Sequence, residues 1–214
     1  TRCSRDWSSD VCSSDLTNEE IKALVSELNA LEFDRVGLHY SLDGAAIFND
    51  SGNPERFAEV CELVANHFNK SLFIHSLDSK ALSLALAKIA AKKPLIGSAN
   101  LENYESIVNV AKEHGLPVVL TAENLEDLNA LVEKAQTLGH KEFVLNPVTN
   151  SISENLANLT HIRRLAIKKK YRPFGYPVLA YTCKSDPFEE IAEASVYVCK
   201  YASAIVLNTK EKAH

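Results

Sequence analysis

His75 and Glu123 are the residues of this chain best suited by type and setting to act as a general acid and base. Each directly follows a short apolar run, Leu72-Phe73-Ile74 in one case and Val118-Val119-Leu120-Thr121-Ala122 in the other. No third residue that would orient the histidine can be named, and a lone histidine in such a place is more often a hydrogen-bonded structural residue. Other apolar runs end on amides or a phenol: Asn49, Asn100, Asn146, Tyr181 and Asn208. Together these seven positions form a candidate polar ring, poor in lysine. A Schiff-base aldolase would want a lysine there, and a phosphate-binding barrel would want glycine-rich turns near the last strands. Asp50, Asn100 and Thr121 also suit the plainer role of helix caps, so no residue is assigned as catalytic and none as a metal ligand.

The elements that must position these residues alternate. Lys93 to Ala122 holds one complete unit: an apolar run through Leu95-Ile96, a helix from Asn103 to His114, Gly115 to end it, and a second apolar run. Tyr104, Ile107, Val108 and Ala111 recur at helical spacing, and a run apolar on both faces suits a strand buried between a core and covering helices. The unit is βαβ with parallel strands. Strand centres recur at Ile47, Ile74, Ile96, Val119, Val144, Leu179 and Val206, with Val36-Gly37-Leu38 as a further short candidate. Between them run helical stripes: Ile21, Leu24, Val25 and Leu28; Phe57, Val60, Cys61 and Val64; Leu82, Leu84, Leu86 and Ile89; Leu128, Leu131, Val132 and Ala135; Leu156, Leu159 and Ile162; and Phe188, Ile191, Ser195 and Val198. Asn53-Pro54 and Asp186-Pro187 are cap-plus-proline starts. Regular alternation without a Gly-x-Gly-x-x-Gly after the first strand favours a (β/α)8 TIM barrel over an open doubly wound sheet. After Val206 too few residues remain for another helix and strand, so the sequence predicts a barrel truncated before its last strand, with unpaired edges on the strands at Ile47 and Val206.

Residues 1–16 stand outside this pattern. Ser8-Ser9-Asp10 recurs as Ser13-Ser14-Asp15 in a polar, aperiodic stretch, which reads as a non-native, adapter-like tail without a strand; the barrel occupies 17–214. Of the remaining cysteines, Cys61, Cys183 and Cys199 show no paired spacing and are expected as buried free thiols in a reducing compartment. The net charge of -5 argues against a basic nucleic-acid groove, and no apolar run is long enough to span a bilayer. A cytoplasmic protein is expected. Arg163-Arg164 and Lys168-Lys169-Lys170 suit the negative end of a helix dipole and read as a solvated helix end.

Several motifs then occur in order: Lys93-Pro94-Leu95-Ile96, Glu102-Asn103-Tyr104-Glu105, His114-Gly115-Leu116-Pro117-Val118-Val119, Asn158 to Ile167, and Gly175-Tyr176-Pro177. In order and spacing they resemble the large (gamma) subunit of the corrinoid iron–sulfur protein of the acetyl-CoA decarbonylase/synthase (CO dehydrogenase/acetyl-CoA synthase) system. The resemblance runs from about Glu19 to Lys210. It implies a TIM barrel flanked, in the full-length protein, by a [4Fe–4S] domain and a cobamide (corrinoid) domain. The whole carries a methyl group on cobalt between methyltetrahydropterin or methyltetrahydrofolate and acetyl-CoA synthase, in the reductive acetyl-CoA (Wood–Ljungdahl) pathway of carbon fixation. It further implies a heterodimer with a small (delta) corrinoid protein subunit, and a methyltransferase and acetyl-CoA synthase as partners. Neither cofactor is expected in this chain alone. Asn146-Pro147-Val148-Thr149 stands where similar proteins tend to show Asp-Pro-Gly-Thr, so no polar role is carried over to that loop. Two other readings stay open: a freestanding pterin-binding barrel methyltransferase, with Asn100, Asn146 and Asn208 on the pterin edge, and a non-catalytic subunit that pairs with a second barrel.

Overall fold

Apolar runs and capped amphipathic stretches become strands and helices in the order read above. A computed structural model describes residues 12–149, 151–182, 184 and 186–207. They fall into two compact units that divide after Gly97.

In the first unit the strand order is β1 (Cys12–Ser13), then β4, β5 and β6. β4 (Gly44–Phe48) and β5 (Ser71–His75) run parallel, paired from Gly44↔Ser71 to Phe48↔His75. β5 pairs in turn with β6 (Leu95–Ala99), at Phe73↔Leu95, Ile74↔Ile96 and His75↔Gly97. Ile47, Ile74 and Ile96 share one sheet face and are fully buried. α1 (Asn18–Asn29) opens on a capping box in which Thr17 Oγ1 accepts from the Glu20 N–H and Glu20 Oε2 accepts from the Thr17 N–H. The Thr17 hydroxyl, and then its backbone, hold the Glu20 carboxyl below the usual carboxylate range. Because the folded-state pKa is lowered, this contribution to the α1 start is present above the unfolded carboxylate pKa and fades as pH falls through the folded one. α2 (Pro54–His67) starts on Asn53, whose Oδ1 accepts from the Glu55 and Arg56 N–H groups; α3 (Ser79–Ile89) starts on Asp78. Leu82 and Leu86 are buried in α3, whereas Leu84 faces solvent, as its position between two i, i+4 partners requires.

Three expectations change here. β1 (Cys12–Ser13) is a strand, parallel to β4 at Cys12↔Ile47 and Ser13↔Phe48, so the set-aside tail does contribute to the sheet. Ser14 is buried and donates its N–H to the Phe48 carbonyl. Residues 1–11 lie outside the described structure. The edge of β4 is therefore paired along Ile47-Phe48 rather than open; unpaired backbone at a sheet edge recruits whatever extended segment is tethered nearby. Arg56 secures the entering segment: its guanidinium donates to the carbonyls of Ser14 (3.4 Å) and Leu16 (2.5 Å) and to Asn18 Oδ1 (2.7 Å). Arg56→Ala is expected to speed amide exchange at residues 13–17 at least about tenfold, as loss of charge-assisted bonds worth roughly 1.5–3 kcal/mol would; unchanged exchange would refute this anchoring.

Val36-Gly37-Leu38 is a turn leading into a strand rather than a strand of its own. Val36 (φ 51°) and Gly37 (φ 76°) are the two-residue turn of an antiparallel hairpin, β2 (Glu32–Arg35) with β3 (Leu38–Ser41). Positive φ at both central positions is the primed-turn geometry that matches strand twist. Glycine tolerates it, whereas a β-branched valine, here 93% exposed, does not. Val36→Asn is expected to raise stability by about 1 kcal/mol in urea denaturation.

In the second unit β7 (Val118–Ala122) and β8 (Phe143–Pro147) are parallel, paired from Val118↔Phe143 to Ala122↔Pro147. β8 is bridged onward at Leu145↔Val178, and β9 (Leu179–Tyr181) pairs with β10 (Ala204–Val206), again parallel. α4 (Tyr104–His114), α5 (Leu125–Thr137), α6 (Ile152–Lys168) and α7 (Pro187–Cys199) complete the alternation. Gly115, at φ 64°, caps α4 and lets the chain turn directly into β7. The basic residues Arg163, Arg164 and Lys168 to Lys170 are exposed. Of the free thiols, Cys61 is buried but Cys199 is exposed, contrary to expectation, because it sits on the outer face of α7; Cys183 lies outside the described residues.

α7 departs most from the sequence pattern. Phe188 and Val198 are 73% and 71% exposed, while Glu190 and Glu193, each 2% exposed, face inward with Tyr197. Hydroxyl partners make this arrangement tenable. Glu190 Oε1 lies 2.5 Å from Thr182 Oγ1, and Glu193 Oε1 accepts from the Tyr197 hydroxyl at 2.5 Å.

Candidate functional site

In parallel βα folds the carboxyl ends of the strands carry function, because the loops there are free of the sheet's own packing demands. In the first unit those ends bring Asn49 and His75 together: the Asn49 N–H donates to the His75 carbonyl at 3.0 Å. Asn49 Nδ2 donates to Ser76 Oγ at 3.2 Å, and Ser76 Oγ in turn accepts from the Asp78 N–H. Asn49 Oδ1 is buried without a hydrogen-bond partner. A donor reaching it would remove a desolvation cost of about 1–3 kcal/mol. The His75 ring lies 4.8 Å from Phe48 and 6.0 Å from Phe73, centroid to centroid, in an aromatic cluster on one sheet face. Asp50 is exposed and caps nothing; Asn53 does that work for α2.

In the second unit Asn100 is a structural residue. Its Oδ1 accepts from the Glu102 and Asn103 N–H groups, and Asn103 Oδ1 returns the bond to the Asn100 N–H at 2.7 Å. Asn146 is buried and donates to Thr121 Oγ1 across the β7–β8 pair at 3.4 Å. Thr121 therefore does not cap α5; Asn124 does, accepting from the Asp127 N–H. Glu123 is exposed beside that cap. Tyr181 ends β9, and Asn208 lies outside the described residues. Thr182, Glu190, Glu193 and Tyr197 form a buried polar cluster that the sequence reading missed. Glutamates on a helix ordinarily face solvent, so nothing drew attention to Glu190 and Glu193, although their i, i+3 spacing, continued at Tyr197, places them on one side.

Among the described residues no group of three or more His, Cys, Asp or Glu side chains is placed to hold a metal ion. A cleft of about 50 Å³ lies at the amino ends of β9 and β10, lined by Leu159, Ile162, Phe174, Val178 and Tyr201. It is sized for a water molecule or two, well below the roughly 300 Å³ at which pockets for organic ligands begin. What the strand ends offer is hydrogen bonding and an aromatic surface.

These features belong to a parallel βα protein in which the described strand-end amides Asn49, Asn100 and Asn146 bond to their own strands and turns. Solved structures agree on the fold: the chain resembles Xanthomonas albilineans dihydropteroate synthase (TM-score 0.67, 16% identity, 94% of this chain and 85% of that one), and a Yersinia pestis dihydropteroate synthase with a pterine-sulfa conjugate (TM-score 0.66, 15% identity, 90% and 84%). The fold is that of the (β/α)8 TIM barrel. The chain belongs to the CO dehydrogenase/acetyl-CoA synthase delta subunit family, whose pattern matches residues 8–214. It is 43% identical over 202 residues to the corrinoid/iron-sulfur protein large subunit of Moorella thermoacetica, covering 94% of this chain and 45% of that protein. The acetyl-CoA decarbonylase/synthase complex subunit gamma of Methanothermobacter thermautotrophicus is 31% identical over 206 residues, 90% of this chain and 45% of that protein. The chain thus spans about half the length of these relatives. No helix among the described residues is long and apolar enough to cross a membrane.

Proposed function

We propose that this chain is the barrel portion of a corrinoid iron–sulfur protein large subunit. The whole protein would carry a methyl group between methyltetrahydropterin or methyltetrahydrofolate and acetyl-CoA synthase, in the cytoplasm. Its partners would be a small corrinoid subunit, a methyltransferase and acetyl-CoA synthase. The observation that carries this reading is the 43% identity to the Moorella large subunit across nearly the whole barrel. The geometry supports a positioning role: Asn100 is spent on the turn before α4 and Asn146 on the β7–β8 pair.

The described cysteines do not fit the iron–sulfur cluster of such a carrier. Cys61 is enclosed in α2 and Cys199 stands on the exposed face of α7, so they do not supply the thiolate set of an iron–sulfur cluster. The proposed work of this chain is to hold and present its neighbours.

Two measurements test the reading. The 214-residue chain, incubated with cobalamin or with ferrous iron and sulfide, is expected to take up neither; a tight cobalamin-dependent spectral shift would overturn the positioning role. The full-length subunit with its small partner is expected to accept a methyl group from methyltetrahydrofolate in the presence of the methyltransferase. Methyl transfer by the 214-residue chain alone would instead establish a freestanding pterin-dependent methyltransferase.

A further inference from the structure

Charge is spread unevenly along this chain. It carries 23 Lys and Arg against 28 Asp and Glu, yet no acidic residue occurs between Glu154 and Asp186. Within that stretch Arg163, Arg164, Lys168, Lys169, Lys170 and Arg172 crowd the carboxyl end of α6, all of them exposed and none in an ion pair among the described residues. Cations elsewhere are matched: Lys88 lies 2.7 Å from Glu62, Arg56 3.4 Å from Glu59 and Lys70 3.5 Å from Glu32.

The helix itself does not need this set. Its dipole favours cations only in the last turn, where Lys168 stands, and Arg163 and Arg164 lie further in. Arg164 and Lys168, at i and i+4, repel each other. Lys170 has φ 51°, just past the point where the helix closes and the Tyr171 N–H returns to the Leu165 carbonyl at 3.1 Å. Glycine holds that left-handed position without strain, whereas a lysine does not.

The geometry gathers the charge on one side. α6 turns Leu159 and Ile162 to the core, so at 100° per residue Arg164 lies about 200° round from Ile162, with Arg163, Ile167 and Lys168 within about 100° of it. Three cations thus surround Ile167, which is 57% exposed, and Lys169, Lys170 and Arg172 extend the positive field past the helix end. This end of α6 lies beside Val178 and Ser203, at the amino ends of β9 and β10, away from the strand ends described above.

The side of a helix is convex and encloses nothing, so it suits a facing surface rather than a small anion. The remainder of the chain has a larger acidic excess than the whole, which repels a long polyanion or an anionic membrane. An acidic stretch of a protein is short enough to avoid that repulsion and can set an apolar side chain against Ile167. We infer that the outer face at the carboxyl end of α6 docks an acidic segment of a partner protein, steered by the six cations and centred on Ile167. This goes beyond the methyl-carrier reading and does not rest on it.

Fluorescence anisotropy reads the docking with a labelled short peptide of Asp and Glu residues around a central Leu, titrated with the 214-residue chain at physiological ionic strength. Saturable binding is expected. Arg164→Glu with Lys168→Glu is expected to weaken it at least about tenfold. Lys22→Glu with Lys80→Glu, the same change in net charge at exposed sites on α1 and α3, should weaken it less than about twofold. Circular dichroism checks that the variants fold. Replacing the peptide's Leu by Ser leaves the chain untouched and is also expected to weaken binding, so the test stands even should the charge reversal misfold. Absence of saturable binding overturns the proposal, as does equal weakening by the two pairs of substitutions or indifference to the peptide's Leu. Tighter binding of duplex DNA or of phosphatidylserine vesicles than of the peptide overturns it as well.

Discussion

Phe57→Ala is expected to lower the free energy of unfolding by about 3–5 kcal/mol. Phe57 is fully buried in α2, on the stripe with Val60, Cys61 and Val64, and α2 lies against both α1 and α3. Truncation there removes a large, fully buried apolar side chain and leaves a cavity in the core. Since single domains hold only about 5–15 kcal/mol in total, the loss is a large share. Urea denaturation of the variant and the parent, followed by circular dichroism, measures it through the shift in midpoint at constant slope. Leu84→Ala, on the exposed side of α3, is the control and should move stability by less than about 0.5 kcal/mol. Equal effects at the two sites would mean that α2 does not lie where the structure places it.

Gly44→Val should cost about 2–3 kcal/mol, of the size typical of overpacking. A Cβ at Gly44 would sit 2.8 Å from the Ser71 carbonyl oxygen and 3.4 Å from Ser71 Cβ, on the neighbouring strand. Neither atom can swing aside, because the oxygen is backbone and Ser71 pairs with Gly44 in register. Gly44 has an ordinary backbone conformation, so strain at the residue itself contributes nothing. Gly44→Ala should therefore already show most of the loss. A stability equal to the parent's for both variants would mean that β4 and β5 are not paired at Gly44↔Ser71.

Local chemistry decided much of this molecule from the sequence alone. The α4 stripe of Ile107, Val108 and Ala111 is buried as its spacing requires, Gly115 ends that helix in the left-handed conformation, and Asn53-Pro54 and Asp186-Pro187 start helices. Propensity, capping and periodicity act within a few residues, so they are legible without any knowledge of neighbours. The order and spacing of short motifs carried the family as well.

Tertiary structure decided the rest, because it depends on partners distant in sequence. Which asparagine at a strand end is spent on a turn or cap and which on a cross-strand bond turned on loop geometry: Asn100 closes the turn before α4 and Asn124 caps α5, whereas Asn49 reaches Ser76 just past β5 and Asn146 reaches Thr121 on β7. That Cys12 and Ser13 would pair with β4 followed from a vacant edge within their reach, a property of the sheet and not of their polar, aperiodic sequence. Above all, the direction in which α7 faces could not be read from its residues. Its apolar positions favour burial on transfer energy alone, and they lose to two carboxylates only because Thr182 lies eight residues away from Glu190 in sequence but within hydrogen-bond reach, and Tyr197 covers Glu193 from the same helix face.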